Sequence, residues 1–531
     1  MTKTAKILLL LTLVLAFVLR VWKLGDNPPS LDWDEASLGY NAYSILKTGR
    51  DEYGNFLPMS IRSFNDYKPP LYTYLALPAV AVFGLNELSV RLPSAVFGFL
   101  AVISCFYLVR LMHPQNIKLA LLTAFFLSIS PWHIQFSRIA FEANLALSLY
   151  ILAITLFLKS LKSGIFYPFS ALVFALSIYS YHSPRLIIPI VVLGLVLLYF
   201  KRVTGKLPWF LTFVVLLFVT AFPVIKEINR STGARFSSVS VVNPDEKLGA
   251  SIAAMEFDRL RGEPFGKILH NRRLVFGREI LAGYLDHFNF DFLFLTGDPP
   301  GRHHAAGMGM LYVTDLPLIL LGIVFLALNF KKKAFRLILL LFFAAPLASS
   351  LTTGTPHAVR AIFYLPVYQI IAALGLIRVS KKSYFKYVFC LLFIINFLYY
   401  LHQYYVHTPV EYASSWQYGY KEAVYESEKH YGSVDKIIVT YRYDQPYIYF
   451  LFYNRTDPAW YQSLWRGYAI KRAERQYDKY EFRNINWEQD SQMKNALLIG
   501  TPEEIPDNAP GITREIFFPD GTIAFRIVKR I

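Results

Sequence analysis

Eleven apolar runs separated by polar joints leave this chain few folds to choose from. They fall at roughly 7–23, 91–112, 117–135, 142–158, 166–182, 185–200, 207–225, 311–330, 335–351, 359–377 and 383–403. A helix rises about 1.5 Å per residue and a bilayer's hydrocarbon layer is about 30 Å thick, so each run has roughly the length of a transmembrane helix. The chain is 17% charged, against about 25% for a soluble domain. The fold class expected is mainly α: a polytopic transmembrane helical bundle of about eleven spans.

The joints set an orientation. Lys3 and Lys6, Lys159 and Lys162, Lys201, Arg202 and Lys206, Lys331 to Lys333, and Arg378, Lys381 and Lys382 fall on one side. Clusters of this kind mark the cytoplasmic face. The formal charge of +17 is therefore read as topology and lipid contact, not as a nucleic-acid surface. The run from Ile7 to Val21 competes with a signal peptide. Arg20, Trp22 and Lys23 close it with no small-residue cleavage site, so an uncleaved first span is expected. The stretch 70–85 is apolar but short, with Pro78 inside it. If it crossed, every later basic cluster would land outside, so a juxtamembrane or re-entrant helix is expected. Cys105 and Cys390 both lie in apolar runs and offer neither a disulfide framework nor a zinc motif.

From about 405 the chain turns polar and tyrosine-rich. Lys436–Tyr441 (KIIVTY), Ala496–Gly500 (ALLIG) and Thr522–Val528 (TIAFRIV) read as strands, with Pro519-Asp520-Gly521 as a hairpin turn. Segments 414–430 and 445–453 read as helical. The division expected is a membrane module over 1–404, with outer loops 24–90 and 226–310, and a small α/β unit over 405–531 on the outer surface.

The first outer loop carries the chemistry. Leu31-Asp32-Trp33-Asp34-Glu35-Ala36 is followed by Tyr67-Lys68-Pro69-Pro70-Leu71-Tyr72. Acids beside a membrane helix are costly unless a partner, water or a ligand compensates them. Asp34 and Glu35 also suit a helix N-terminus, so capping stands beside a base that takes a proton from an acceptor hydroxyl. Lys68 is either an interfacial lysine or a point charge for a leaving phosphate. Tyr67 and Tyr72 flank it as candidate substrate contacts.

Further outer joints add cations. Ser137-Arg138-Ile139-Ala140-Phe141-Glu142 holds a plain salt bridge, or else a phosphate contact at Arg138 and a metal ligand or second acid at Glu142. Tyr181-His182-Ser183-Pro184-Arg185 and Pro356-His357-Ala358-Val359-Arg360 put arginines where the positive-inside preference does not want them, and bidentate phosphate binding by Arg185 and Arg360 accounts for that. Gly297-Asp298-Pro299-Pro300-Gly301-Arg302-His303-His304 reads as a substrate-facing loop, since adjacent histidines rarely aim at one metal. His182, His303, His304 and His357 are candidate substrate contacts. No cofactor is required, and a divalent metal is admitted at Glu142. The chain has no Walker A loop and no dinucleotide fingerprint, which argues against a nucleotide-sugar donor or ATP-driven transport.

Taken in order, these motifs resemble the GT-C superfamily of membrane glycosyltransferases. The resemblance extends to glycosyltransferase family 39, with its protein O-mannosyltransferases and lipid A aminoarabinose transferase. It covers roughly residues 1–400 and includes Val90-Arg91-Leu92-Pro93-Ser94-Ala95 and Arg360 with Tyr364-Leu365-Pro366. It implies a polyprenyl-phosphate-linked sugar as donor, and transfer with inversion to an acceptor hydroxyl on the outer face of a bacterial plasma membrane. The acceptor class, whether protein, lipid or glycan, stays open. By the same resemblance Asp34 is the family's acid in the first outer loop, Glu35 its companion, and Lys68 its phosphate-contacting lysine. Glu142 stands where many members have Asp. Some members bind a divalent metal through a Glu directly before the lysine, where this chain has Tyr67. Two other classes fit the composition: a transporter or lipid flippase, and an outer-face glycan ligase or polymerase. Charges at one face and the lack of an internal repeat count against the first. Single-sugar transfer separates the second.

Overall fold

A computed structural model describes residues 1–64, 66–227, 240–241, 245–379, 383–465 and 476–531. Lys381, Lys382 and most of 226–244 lie outside the described residues. Among the described residues, eight helices are long and apolar enough to cross a membrane: Lys3–Val21 (α1), Glu87–Met112 (α4), Glu142–Ser160 (α7), Pro184–Thr204 (α9), Leu207–Val224, Lys333–Ser350, Ile362–Val379 and Tyr387–Glu411. Ile117–Ile129 (α5) and Pro131–Ser137 (α6) make a ninth if counted as one span bent by 59°. Two of the eleven expected runs, 166–182 and 311–330, form helices of only 13 and 14 residues, Phe166–Ile178 and Asp315–Leu328. Each rises about 20 Å, short of the hydrocarbon thickness. Stretch 70–85 folds as Leu71–Phe83 (α3), with Pro78 inside it. Helices at the bundle's edge expose apolar side chains, among them Leu10 and Leu11 on α1 and Phe218 and Val219, the reverse of a water-soluble surface and suited to lipid.

The bend between α5 and α6 has a visible cause. Pro131 lacks an N–H and pushes Ser130 into an extended conformation (φ −58°, ψ 124°). The last carbonyls of α5 are left without helical partners. The fully buried Arg20 fills the gap: its guanidinium donates to Ser128 O (3.1 Å), Leu127 O (3.3 Å) and Ala16 O (2.8 Å), and to Nδ1 of His133 (2.6 Å).

Outside the apolar helices, Trp33–Thr48 forms α2, and Ile61–Ser63 (β1) pairs antiparallel with Asp66–Lys68 (β2). Towards the C-terminus lies a six-stranded mixed sheet, in order β4-β5-β3-β6-β8-β7. Its strands are Lys436–Val439 (β3), Gln476–Tyr477 (β4), Tyr480–Phe482 (β5), Ala496–Gly500 (β6), Ile512–Phe517 (β7) and Ile523–Arg530 (β8). β3 runs parallel to β5 and β6, whereas β8 is antiparallel to both its neighbours. β3, β6 and β8 lie on the three apolar segments singled out above; β4, β5 and β7 carry no comparable apolar run. Helices Tyr420–His430 and Pro446–Tyr453 flank the sheet.

The sheet shares its core with the front of the chain. Leu31, Ala36, Leu38, Tyr40, Tyr72 and Val90 pack in one buried cluster with Tyr420, Val424, Ile437, Tyr447, Ile448 and Phe450. Polar contacts cross the same seam. Tyr40 donates to Thr456 O (3.0 Å), and Tyr449 to Leu31 O (3.3 Å). The Gln462 amide donates to Ser44 Oγ, Thr48 Oγ1 and Asp51 O at 2.9–3.0 Å. Gly39 sits where a Cβ would lie 2.5 Å from Val90 and 2.6 Å from Phe452, so only hydrogen lets these elements close.

Candidate active site

The three acids at the head of α2 divide their work by geometry. Asp32 is the N-cap: its Oδ1 accepts from Glu35 N (2.8 Å), and Glu35 Oε2 accepts in return from Asp32 N (3.3 Å). This is a capping box, satisfying two backbone donors reciprocally. Glu35 goes further. It takes a bidentate pair from Arg91 (3.0 Å at each oxygen) and the Ala140 N–H (2.8 Å), with neither charged side chain exposed. Arg91 spends its remaining donors on Leu24 O, Pro28 O and Ser30 O. Glu35 is thus the post on which the segment after α1 hangs.

Asp34, one turn position away, is left out of the cap. Its side chain is 36% exposed and pairs with the Lys68 ammonium. β2 brings Lys68 there; residues alternate faces along a strand, so Tyr67 turns the other way. It lines a cavity of about 430 Å³ with Tyr53, Arg62, Met59 and Trp465. Phe64 lies 5.4 Å from the ammonium. Burial works against the charge on Lys68, but Asp34, Glu142 and Asp32 outweigh it and hold the ammonium above its ordinary value. Glu142 opens α7, where the helix dipole favours an acid.

Sequence reasoning missed Arg302. Its guanidinium lies 3.5 Å from Asp32 Oδ2 and 4.2 Å from the ring of Trp33. Burial, with Asp34 and Glu35 close by, pushes Asp32 up to about 7 against the pull of Arg302. The only local signal for Arg302 was an arginine in a Gly/Pro-rich loop; its partner is 270 residues away in the chain.

The other candidates fall into two groups. Arg138 is fully buried and donates to Leu19 O, Lys23 O, Asn27 O and Tyr404 OH. Its donors close off the end of α1. Tyr72 donates to Val90 O inside the core, and His304 bonds Asp298 O (2.9 Å) and stands against Tyr412. These three are held by scaffold contacts. The two His–Arg joints, in contrast, come together: Ser183 Oγ donates to Arg360 O (3.4 Å), so 181–185 and 356–360 meet at that contact. Arg360 itself donates to Thr352 Oγ1 and Thr353 O. Contacts run on from these joints, from Ala358 N to Asp298 (2.9 Å) and from Leu71 N to Tyr179 O (3.3 Å). Around the Asp34–Lys68 pair stand Glu142 and Asp32, the latter with Arg302 beside it. Chemically, the cluster offers a half-exposed carboxylate, a buried ammonium and a guanidinium.

Comparison with known proteins bears on this arrangement. The family profile described as dolichyl-phosphate-mannose-protein mannosyltransferase matches residues 67–226, a stretch that begins at Tyr67-Lys68. Among curated proteins no sequence matches. ArnT from Cupriavidus metallidurans in the apo state shares 12% identity at a TM-score of 0.56, over 100% of this chain and 99% of that one. The same enzyme bound to undecaprenyl phosphate gives 13% identity and a TM-score of 0.55 over the same shares. The archaeal oligosaccharyltransferase AglB from Archaeoglobus fulgidus, in complex with an inhibitory peptide and a dolichol-phosphate, gives 15% identity and a TM-score of 0.48. That match covers 85% of this chain and 64% of the archaeal one. The resemblance to GT-C membrane glycosyltransferases read from the motifs holds, and the fold is the one ArnT has.

Proposed function

We propose that this chain, with the fold of a membrane glycosyltransferase, transfers a sugar from a polyprenyl-phosphate-linked donor to an acceptor hydroxyl. The observation that carries the reading is the Asp34–Lys68 pair: the one acid at the head of α2 that the cap leaves over, held against a buried lysine. Arrival of the donor's phosphate gives Lys68 a second anion and loosens its hold on Asp34. Asp34 then takes the proton of the acceptor hydroxyl as its oxygen attacks the anomeric carbon. The phosphate leaves from the opposite face, with inversion. Charge builds on the phosphate oxygens in that step, where Lys68 stabilises it best in a site that excludes water. Arg302, Arg185 and Arg360 add positive potential around the outer loops.

ArnT's complex with undecaprenyl phosphate and the family profile that starts at Tyr67 support the donor class. By the charge pattern the reaction faces outward, the N-terminus is cytoplasmic, and eleven spans cross if the bent pair and the short helices Phe166–Ile178 and Asp315–Leu328 are each counted as one. A bacterial plasma membrane fits this arrangement. The test is release of sugar from a radiolabelled polyprenyl-phosphate sugar by purified protein in lipid. Wild type turns over, whereas Asp34→Asn and Lys68→Ala lose at least about a hundredfold, the usual range for general-base and charge-stabilising groups. Undiminished transfer by Asp34→Asn removes the residue from the mechanism.

A further inference from the structure

Asp298, His303 and His357 form a second constellation that the transfer chemistry leaves unused. Each offers one ligating atom, and these atoms lie within 4.8 Å of one another. They come from two segments, the loop before Asp315–Leu328 and the joint before Ile362–Val379. Asp298 Oδ2 shares a hydrogen bond with His303 Nδ1 (2.6 Å) and accepts the Ala358 N–H (2.9 Å). Its other oxygen, Oδ1, is buried without a hydrogen-bond partner, and so is Nδ1 of His357. Two acceptors stripped of water and left unpaired are expensive. A cation between them satisfies both.

The surroundings are built to hold these groups still. His303 packs between Phe136 and Phe141, at 5.8 and 6.0 Å, with His357 5.2 Å away. The backbone N–H of His357 donates to Nε2 of His287 (3.2 Å). His287 is itself fixed by Ser349 Oγ on that nitrogen and by Gly283 O on its Nδ1. Contacts of this outer kind orient ligands before a metal arrives.

We propose that Asp298, His303 and His357 bind one divalent transition-metal ion of the zinc class. Two imidazoles and a carboxylate suit zinc and its first-row neighbours, not magnesium or calcium, which want oxygen donors. Three protein ligands leave one position open. The residue before the lysine, Tyr67, supplies no ligand here; it lines a separate cavity with Tyr53, Met59, Arg62 and Trp465. Glu142 lies outside the trio. The ion staples the two segments together, and with His303 it fixes the adjacent Arg302 against Asp32.

The test uses the full chain in detergent, carrying no polyhistidine tag, stripped with a chelator, reloaded with zinc or cobalt and dialysed. Metal per chain is measured by mass spectrometry, and coordination by the visible absorption of the cobalt form. Wild type and His407→Ala, a change at an exposed histidine paired with Glu411, should each hold one ion. Asp298→Asn, His303→Ala and His357→Gln should lose it while keeping the elution volume of the metal-free protein. Should a variant fail to fold, wild type alone still decides: zinc must raise the melting temperature of the stripped protein by mass action where magnesium does not. Equal metal in wild type and all three variants overturns the proposal. So does a wild type that retains no ion, or one that zinc leaves unshifted.

Discussion

Asp32, Asp34 and Glu35 stand within four positions of one another, and each responds differently to loss of its carboxylate. Glu35→Ala strands the Arg91 guanidinium in the core. Removing one partner of a buried pair costs about 3–5 kcal/mol, enough to unfold many proteins, so the variant should show a collapsed yield or a sharply lower melting temperature. Asp34→Asn should melt close to wild type, since its own side chain is 36% exposed and Lys68 keeps Glu142 and Asp32 beside it. Glu35→Ala protein that melts with wild type would sink the division between scaffold and chemistry. Asp32 adds a pH dependence. Its folded value, about 7, lies above its ordinary one, so the native state holds the proton more tightly. Stability from Asp32 is therefore full below about pH 4 and lost as pH rises through about 7. Asn is as good an N-cap, so Asp32→Asn should flatten that part of the melting-temperature profile measured from pH 5 to 8. An unchanged slope assigns the profile to other groups.

The residue scale also marks what could be read from sequence. Asp34 and Lys68 were legible because a charge beside an apolar run is conspicuous wherever it pairs. The Asp32-x-x-Glu35 spacing was equally legible as a capping box, and weighing it would have moved Glu35 from catalyst to scaffold. Arg138 could not be sorted in this way. The carbonyls that consume it belong to Leu19, Lys23 and Asn27, over a hundred residues away, and nothing in its own motif announces them.

At the scale of elements, apolar length alone placed a helix on every expected run, but it could not tell a full span from the 13-residue Phe166–Ile178. Nor did it show the break at Pro131. That break rests on Arg20, which stands in for the amides the helix lacks. Arg20→Leu should leave two carbonyls and the His133 nitrogen unsatisfied, at about 1–3 kcal/mol for each buried group. A thermal melt in detergent should fall by several degrees; an unchanged melt means that water or another donor replaces the arginine. In the C-terminal sheet, β3, β6 and β8 were visible as apolar runs. β4 and β5 are two and three residues long, too short for periodicity to register.

At the scale of the molecule, the expected boundary near 405 does not divide the core. Residues from both ends of the chain share one buried cluster, so the sheet is part of what shapes the segment that carries Asp34. Gly39→Leu probes the seam. Its side chain would collide with Val90 and Phe452, and overpacking of this kind costs about 1–3 kcal/mol. Limited proteolysis should then cut after 405 faster than in wild type, while a seam that tolerates leucine would leave the rates equal.

The placing of Phe64 carries this into biosynthesis. Its ring lies between the Lys68 ammonium, at 5.4 Å, and Tyr447, at 5.9 Å. A ribosome that has released only the first four hundred residues has delivered all but the end of the last apolar helix, yet the wall behind the lysine has not been translated. The half-made copy has most of its bundle and an unbacked lysine, so the Asp34–Lys68 pair is completed only when the last quarter of the polypeptide folds back on it.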